Sequence, residues 1–376
     1  MNYPDMELNK ETDSRVNTPV DLLVGDVQGP DGVETLRARW AEMPSVPKLV
    51  TARDEGTDCS WSGFDIRTLL CGEESSGRFS FHSVILAPGA ELPAHYLEKS
   101  DTFWYVLAGE VIATVGSVSD VMERLSSAFI PAQTTQAIAN KSTQPAEVYI
   151  GYTPSGADRA FTEAHALWRE RPDASDAEYH AILERYGFQF TGGKPMPNDV
   201  RTNEPAERVD GPITSLDEYQ ALRKRWSKLL PTPQLVKTPE RYRSIAVGGN
   251  ATHVLLEPEQ ARASASVFFT SLSGGGMIPS HHQPTEDELF IVAEGPMVLS
   301  VGDGTTEIAQ TGAFGFAPRF TSHSFANKGN NPVKFFSINT PGGHERGFEY
   351  GEKSMADPDF MQKIAAHGFQ FHPPKA

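Results

Sequence analysis

The sequence lacks several features that define common protein classes. It contains no run of 18 apolar residues, and therefore no candidate transmembrane helix. Its polar, acidic start has neither a basic segment nor an apolar core, so we expect neither a signal peptide nor a mitochondrial presequence. Only two cysteines, Cys59 and Cys71, occur among 376 residues, and they form neither a CxxC motif nor a zinc framework. We therefore expect a reducing compartment and a cytoplasmic location.

Basic residues are also scarce. The chain has 33 Lys and Arg against 49 Asp and Glu, which gives a net charge of −16. A protein this acidic has no electrostatic footprint for nucleic acid or for an anionic membrane. The sequence also lacks GxGxxG, P-loop, GxSxG and HExxH motifs, so nucleotide-dependent and serine-hydrolase functions have no support. With 39% hydrophobic and 22% charged residues the composition is that of a globular protein. The partner that we expect is a small-molecule substrate.

An internal repeat organises the chain. Arg39-Trp40 recurs as Arg225-Trp226 and His95 recurs as His281, both at an offset of 186 residues. After a slip of one residue the offset becomes 187, as in the recurrence of Thr153-Pro154 as Thr340-Pro341. Because the offset is nearly constant, the sequence predicts two homologous halves.

The predicted domain boundaries follow from this repeat. Residues 1–21 form a polar tail that we expect to be disordered. The first domain covers 22–200 and the second covers 208–376, with a linker at 201–207. The linker lies within a longer segment, 191–212, that is rich in Gly, Pro and charged residues and has no apolar period.

Each half shows the same coarse pattern. A short amphipathic helix comes first, and in the second half Ser215 is its predicted N-cap, with Glu218 at the capping-box position. Short β-rich runs separated by Gly, Pro, Asn and Asp follow, and they indicate a barrel or a sandwich rather than βαβ units. A second helix closes each half and stops at Gly187 or Gly368.

The second half contains a set of metal-ligating residue types. In a strand, His281 and Gln283 point to one face and His282 points to the other. Glu288 begins the next apolar run, and His323 follows later. Two imidazoles and one carboxylate that converge inside a barrel are typical of sites for Fe²⁺ and similar divalent ions, and the Gln283 carbonyl oxygen is a weaker fourth donor. The alternative is that these polar residues only hydrogen-bond to one another inside the barrel.

Neighbouring residues complete the predicted site. Strand alternation places Phe290 on the face of Glu288 and Phe325 on the face of His323, where they would either pack inside the barrel or line a pocket for an aromatic or lipophilic substrate. We expect other nearby polar residues to lie outside it: His282 faces outward from its strand, His344 lies at the surface, and Glu286 and Asp287 lie in a solvated turn. We expect His95 to be a hydrogen-bonded core histidine.

These residues resemble the two sequence motifs of the cupin superfamily, G-x5-H-x-H-x3,4-E-x6-G and G-x5-P-x-G-x2-H-x3-N. The matching positions in the second half are His281, Glu288, Gly295, Gly312, Pro318, His323 and Asn327. With the duplication, the chain resembles a bicupin, and more narrowly the quercetin 2,3-dioxygenase-like bicupins. The resemblance implies an all-β fold of two jelly-roll β-barrels with short flanking helices on each half. It also implies that Glu288 is a metal ligand that takes the substrate proton.

The chain departs from the cupin pattern in both halves. In the second half Gln283 replaces the second motif histidine, and Phe320 replaces a motif glycine. In the first half only His95 remains, because Leu97, Thr102 and Gln136 occupy the other ligand positions. One imidazole with these neighbours does not hold a divalent ion, so we predict no metal in the first domain.

The pattern and the resemblance together give three functional hypotheses. The first is a metal-dependent oxygenase that acts on a phenolic or enolic small molecule in the second barrel, with Fe²⁺ preferred and Mn²⁺, Ni²⁺, Cu²⁺ or Zn²⁺ as alternatives. The second is a non-redox isomerase, cyclase or hydrolase that uses the same metal as a Lewis acid. The third is a small-molecule-binding protein without catalysis. The acidic surface and the exposed helices permit a homodimer.

Overall fold

The computed structural model describes residues 14–20, 27, 29–247, 249–354 and 356–372, without the side chains at 30 and 305–308. The predicted disordered tail, 1–21, falls largely outside these ranges. Within 14–20, the side chain of Asn17 exchanges two hydrogen bonds with the backbone of Leu49, at 2.8 and 3.0 Å. The chain is mostly β, as the sequence predicts, and both halves contain the same order of elements.

Six helices and three short 3-10 turns flank the strands in the described part of the chain. The helices are α1 (Gly29–Ala41), α2 (Ala157–Glu170), α3 (Asp176–Arg185), α4 (Leu216–Trp226), α5 (Glu345–Ser354) and α6 (Phe360–Ala366). The 3-10 turns are Arg53–Glu55, Asp199–Arg201 and Pro239–Arg241. The predicted cap of α4 is confirmed, since the hydroxyl of Ser215 accepts a hydrogen bond from the Glu218 amide. Among the described residues, no helix combines the length and apolar character needed to cross a bilayer.

The described residues contain twelve strands in each half. Those of the first half are β1 (Lys48–Val50), β2 (Thr57–Asp58), β3 (Phe64–Leu70), β4 (Ser80–Leu86), β5 (Glu91–Leu97), β6 (Asp101–Ala108), β7 (Glu110–Val115), β8 (Val118–Glu123), β9 (Ser127–Ile130), β10 (Gln136–Ala139), β11 (Ala146–Thr153) and β12 (Phe188–Phe190). Those of the second half are β13 (Gln234–Val236), β14 (Ser244–Val247), β15 (Asn250–Leu256), β16 (Ser266–Leu272), β17 (Met277–His282), β18 (Asp287–Glu294), β19 (Met297–Val301), β20 (Gly304–Ala309), β21 (Phe314–Ala317), β22 (His323–Ala326), β23 (Val333–Thr340) and β24 (Gln370–Phe371).

Each half is a jelly roll built from a seven-stranded and a five-stranded sheet rather than one continuous closed ladder. In the first half the orders are β13-β9-β6-β11-β4-β3-β2 and β12-β5-β10-β7-β8. In the second half they are β1-β21-β18-β23-β16-β15-β14 and β20-β19-β22-β17-β24. The matching orders are the structural counterpart of the repeat in the sequence.

The two halves exchange their first strands. Strand β1 pairs with β21 of the second half, and β13 pairs with β9 of the first half. Each large sheet is therefore completed by a strand that the predicted boundaries, 22–200 and 208–376, assign to the other domain. Those boundaries describe the repeat in the sequence, and as structural domain limits they stay a prediction.

The large sheets have two buried faces. Along β18, Leu289 and Ile291 contribute to the core between the two halves, whereas Phe290 and Val292 face the interior of the second jelly roll. The alternation follows from the two-residue period of a strand. It also places Glu288 on the interior face, beside the five-stranded sheet that carries the two histidines.

Candidate metal centre

Three strands of the second jelly roll bring together three of the predicted ligands. His281 lies at the end of β17, Glu288 near the start of β18 and His323 at the start of β22. His281 and His323 are direct cross-strand partners. The donor atoms of all three residues lie within 4.8 Å of one another, and all three side chains are buried. Among the described residues, no other group of three such donors converges in this way.

A backbone carbonyl orients each histidine. The Nδ1 atom of His281 lies 2.8 Å from the carbonyl oxygen of Pro279, and Nδ1 of His323 lies 3.1 Å from that of Thr321. Because a carbonyl only accepts hydrogen bonds, we assign the proton to Nδ1 in both rings. This arrangement turns Nε2 toward the cluster, where it can donate its lone pair to a cation.

The electrostatics of the cluster suit a cation. Burial lowers the pKa of His281 well below its usual range, so its imidazole is neutral at pH 7. Burial by itself would raise the pKa of Glu288, but its contacts with the two imidazoles, that of His323 first, lower it instead. The Nε2 atom of His323 lies 2.9 Å from a carboxylate oxygen of Glu288. A neutral imidazole and an ionised carboxylate are the protonation states that a metal requires of its ligands.

Gln283 joins the cluster through its amide nitrogen. The side chain is buried, and Nε2 donates to Glu288 at 3.0 Å. In this orientation the amide holds the carboxylate in place and does not present its oxygen as a donor. Contact between Gln283 and the metal therefore stays a prediction that needs the amide to rotate.

The two phenylalanines predicted to line a pocket pack against each other beside the ligand His323. The ring of Phe290 lies 5.9 Å from that of His323 and packs edge-to-face on Phe325 at 4.9 Å. Phe325 also stacks on Phe335 at 4.8 Å. Both rings are buried, so they exclude water from one side of the cluster.

The expected solvated turn before Glu288 is wrong. Glu286 is fully buried and forms an ion pair with the guanidinium of Arg223 from α4. Asp287 is also fully buried and pairs with Arg78 of the first half, with one bond of 3.1 Å. Both carboxylates find a cation on a distant segment, which a local reading of the turn does not reveal. An ion pair of this kind offsets the free-energy cost of burying the carboxylate.

His282, expected to face outward, and His344, expected at the surface, are both buried. His282 does point away from the cluster, as strand alternation predicts, but His372 covers it, with 3.0 Å between their nitrogens. His344 is 1% exposed and packs against Phe369, with ring centres 4.0 Å apart. The surface prediction for His344 failed because the helix that follows it, α5, was not recognised in the sequence.

At the matching positions, the first half has the same strand pairing as the second half, but it lacks the metal-ligating side chains. Gln136 and His95 are cross-strand partners, as His323 and His281 are. Nδ1 of His95 lies 2.8 Å from the carbonyl oxygen of Pro93, and burial lowers the pKa of His95 to about 4. The amide of Gln136 donates to Thr102 at 3.3 Å. The absence of a metal from this half stays a prediction.

Comparisons with known proteins identify the fold. The cupin domain family model matches twice, at residues 82–152 and 268–339, so the chain contains two cupin domains. The E. coli protein Ylba is similar in structure, at 11% identity and a TM-score of 0.51, over 82% of this chain and 96% of that one. No curated protein matches the sequence significantly.

Two enzyme structures resemble the chain more weakly. Oxalate decarboxylase from Bacillus subtilis has 15% identity and a TM-score of 0.49, over 86% of this chain and 84% of that one. A variant of salicylate 1,2-dioxygenase from Pseudoaminobacter salicylatoxidans has 15% identity and a TM-score of 0.44, over 70% and 71%. The narrower resemblance to quercetin 2,3-dioxygenase-like bicupins stays a prediction.

Proposed function

We propose that the second cupin domain binds one divalent transition metal through His281, Glu288 and His323, and that the chain is a metal-dependent oxygenase. The observation that supports this is the convergence of three buried donors within 4.8 Å. Two imidazoles and one carboxylate form the donor set typical of Fe²⁺ oxygenases. Fe²⁺ is the preferred metal, and Mn²⁺, Ni²⁺, Cu²⁺ and Zn²⁺ fit the same donors.

The proposed substrate is a phenolic or enolic small molecule. When bound, the metal would supply Lewis acidity and bring the substrate oxygen and O₂ together. Glu288 is ionised at neutral pH, so it can accept the proton of the substrate hydroxyl. Gln283 holds that carboxylate in place, and Phe290 and Phe325 keep water away from one side of the site.

Metal content tests the proposal directly. We expect the protein purified after growth with these ions to hold close to one metal per chain. His281→Gln removes one imidazole and should abolish stoichiometric binding. His95→Gln is the matched control, because His95 has the same orientation in the first half and should leave the metal content unchanged. Elemental analysis of the three proteins measures the outcome, and a wild-type chain without metal would contradict the proposal.

Oxygen dependence separates the oxygenase from the non-redox alternatives. We expect turnover of a phenolic or enolic substrate to consume O₂ and to stop under strict anaerobiosis. Turnover that continues unchanged without O₂ would favour an isomerase, cyclase or hydrolase. An oxygen electrode with the metal-loaded protein makes this measurement, and the His281→Gln variant supplies its background rate.

A further inference from the structure

We propose that Asn339 and His344 form a polar subsite beside the metal centre that binds a second hydrogen-bonding group of the substrate. The substrate class is then a small anion that chelates the metal through oxygen and carries a further polar group. This inference rests on the proposed metal site, and it adds two residues that neither the sequence motifs nor the metal cluster contains.

Asn339 faces the interior of the second jelly roll from β23. It is the cross-strand partner of Glu288, and its side chain is fully buried. Both polar atoms of its amide are buried, and neither forms a complete hydrogen bond within the described residues. A buried amide without partners costs stability, which indicates that a bound molecule completes its hydrogen bonds.

His344 lies directly before α5, on the side of the cluster that Phe369 covers. The side chain is buried among the rings of Phe268, Phe348 and Phe369. Its Nδ1 atom has no hydrogen-bond partner in the part of the chain that the structure describes. The Phe369 ring connects it to the cluster, since its centre lies 4.0 Å from that of His344 and 5.9 Å from that of His281. Two buried side chains with unused hydrogen-bonding atoms therefore border the metal cluster.

Comparison of the two halves shows that these groups are particular to the second domain. At the offset of 187 residues, Tyr152 stands where Asn339 stands, and Ala157 stands where His344 stands. In the first half the ring of Tyr152 packs against Phe161 and Phe188 at about 6 Å and fills the interior. The second half replaces that ring with a smaller amide and adds an imidazole. Its interior is therefore more polar beside the ligands, and the His344 ring packs on Phe348 and Phe369.

The charge of the site favours an anionic substrate. Imidazoles bind a metal in their uncharged form, so His281 and His323 add no charge to the loaded site. A divalent metal beside the single carboxylate of Glu288 leaves a formal charge of +1. The nearby cation of Arg223 is already neutralised by Glu286. An anion that binds the metal balances this charge, while Asn339 and His344 bind its remaining polar group.

Ligand titration of the Co²⁺-loaded protein under argon tests the subsite. The two probes are 2,3-dihydroxybenzoate, which keeps a polar group free when it chelates, and 3-methylcatechol, which places a methyl group there. Each probe should shift the visible Co²⁺ absorption of the wild-type protein, and the first should bind at least about tenfold more tightly, as expected for hydrogen bonds to a charged group.

Apolar substitutions of similar shape show which residues carry the preference. Asn339→Leu and His344→Phe should each weaken binding of 2,3-dihydroxybenzoate about tenfold and leave 3-methylcatechol binding within about twofold of wild type. His344→Gln keeps hydrogen-bonding atoms and should retain part of the preference. The melting temperatures of the Leu and Phe variants should equal or exceed that of the wild type, because each substitution removes buried polar atoms that lack partners.

Different results of these experiments would reject the metal site, the substrate class or the subsite. A wild-type chain that takes up no Co²⁺ would reject the metal site itself. Stoichiometric Co²⁺ with no response to either probe would reject the substrate class. Equal weakening of both probes in the variants, or a lower melting temperature together with loss of Co²⁺, would show that Asn339 and His344 are structural and would overturn the subsite.

Discussion

At the scale of single residues, the orientation of a histidine ring has a local cause. Its ability to bind a metal depends on residues from other strands. His95 and His281 both bring Nδ1 to within 2.8 Å of the carbonyl oxygen two residues earlier. This contact is local, so both halves have it. Only His281 has a carboxylate and a second imidazole nearby, and these come from other strands. The motif identified the three donors, but it did not indicate that Gln283 would direct its amide nitrogen to Glu288.

Gln283→Leu tests whether the Gln283 amide binds the metal itself or only orients Glu288. Leu97 occupies the matching position in the first half, so the variant should fold. Loss of the hydrogen bond to Glu288 should weaken metal binding about tenfold, as is common for groups that orient a ligand. Competition with a chelator measures the affinity. A loss as complete as that of His281→Gln would instead show that Gln283 binds the metal.

Asp158 should make the stability of the fold depend on pH. Its carboxylate is buried at the start of α2 and accepts hydrogen bonds from the backbone of Gly72 and Gly156. Burial raises its pKa from 3.8 to about 6. Between these values the folded chain keeps a proton that the unfolded chain has released, so the free energy of unfolding falls as the pH rises. The fall is on the order of 3 kcal/mol.

Asp158→Asn should remove this part of the pH dependence. The amide has no proton to release in this range, and its oxygen can still accept one of the two backbone hydrogen bonds. Urea denaturation at several pH values from about 4 to 7 measures the slope for both proteins. Equal slopes for the variant and the wild type would contradict the assignment to Asp158.

At the scale of elements, the exchanged strands complete the cores of the opposite halves. Leu49 of β1 packs inside the second jelly roll, and Leu235 of β13 packs inside the first. The two residues are related by the offset of 186. The apolar pattern around them predicts short strands, but a strand of three residues does not encode which sheet it joins. That choice depends on the edges that the rest of the chain presents.

Leu49→Ala and Leu235→Ala are a matched pair that tests the exchange. Each should cost about 2–5 kcal/mol of stability, because each leaves a cavity in a packed core. Leu49→Ala should speed amide hydrogen exchange mainly in β19 and β21 of the second half. Leu235→Ala should do so in β6 and β9 of the first half. Faster amide hydrogen exchange confined to the half whose own sequence carries the mutation would contradict the exchange of strands.

At the scale of the whole molecule, the two cupin domains share a core. The two seven-stranded sheets face each other, and aromatic side chains meet between them. The ring of Phe81 stacks on that of Phe314 at 5.0 Å, and Tyr105 lies 4.6 Å from Phe336. The repeat and the Gly- and Pro-rich segment predicted two domains joined by a linker. They did not predict that the domains pack together over an apolar face. The homodimer stays a prediction.

We expect this shared core to make the chain unfold as one unit. Calorimetry of the full chain should show a single transition. A fragment covering 208–376 lacks β1, so it leaves the edge of β21 unpaired and exposes the aromatic face, and it should aggregate or remain unfolded. Size-exclusion chromatography and circular dichroism measure its state. A folded, monomeric fragment with the stability of the full chain would contradict the shared core.

The sequence by itself determined the duplication, the strand pattern and the three candidate ligands. These features lie in the constant offset of the repeat and in the two-residue period of a strand, and both can be read from the order of the residues alone. Only the tertiary structure decided the exchange of β1 and β13, the burial of Glu286 and Asp287, and the position of His344 beside the ligands. Each of these depends on a distant segment that supplies a sheet edge, a cation or a covering ring, and no local pattern specifies that partner.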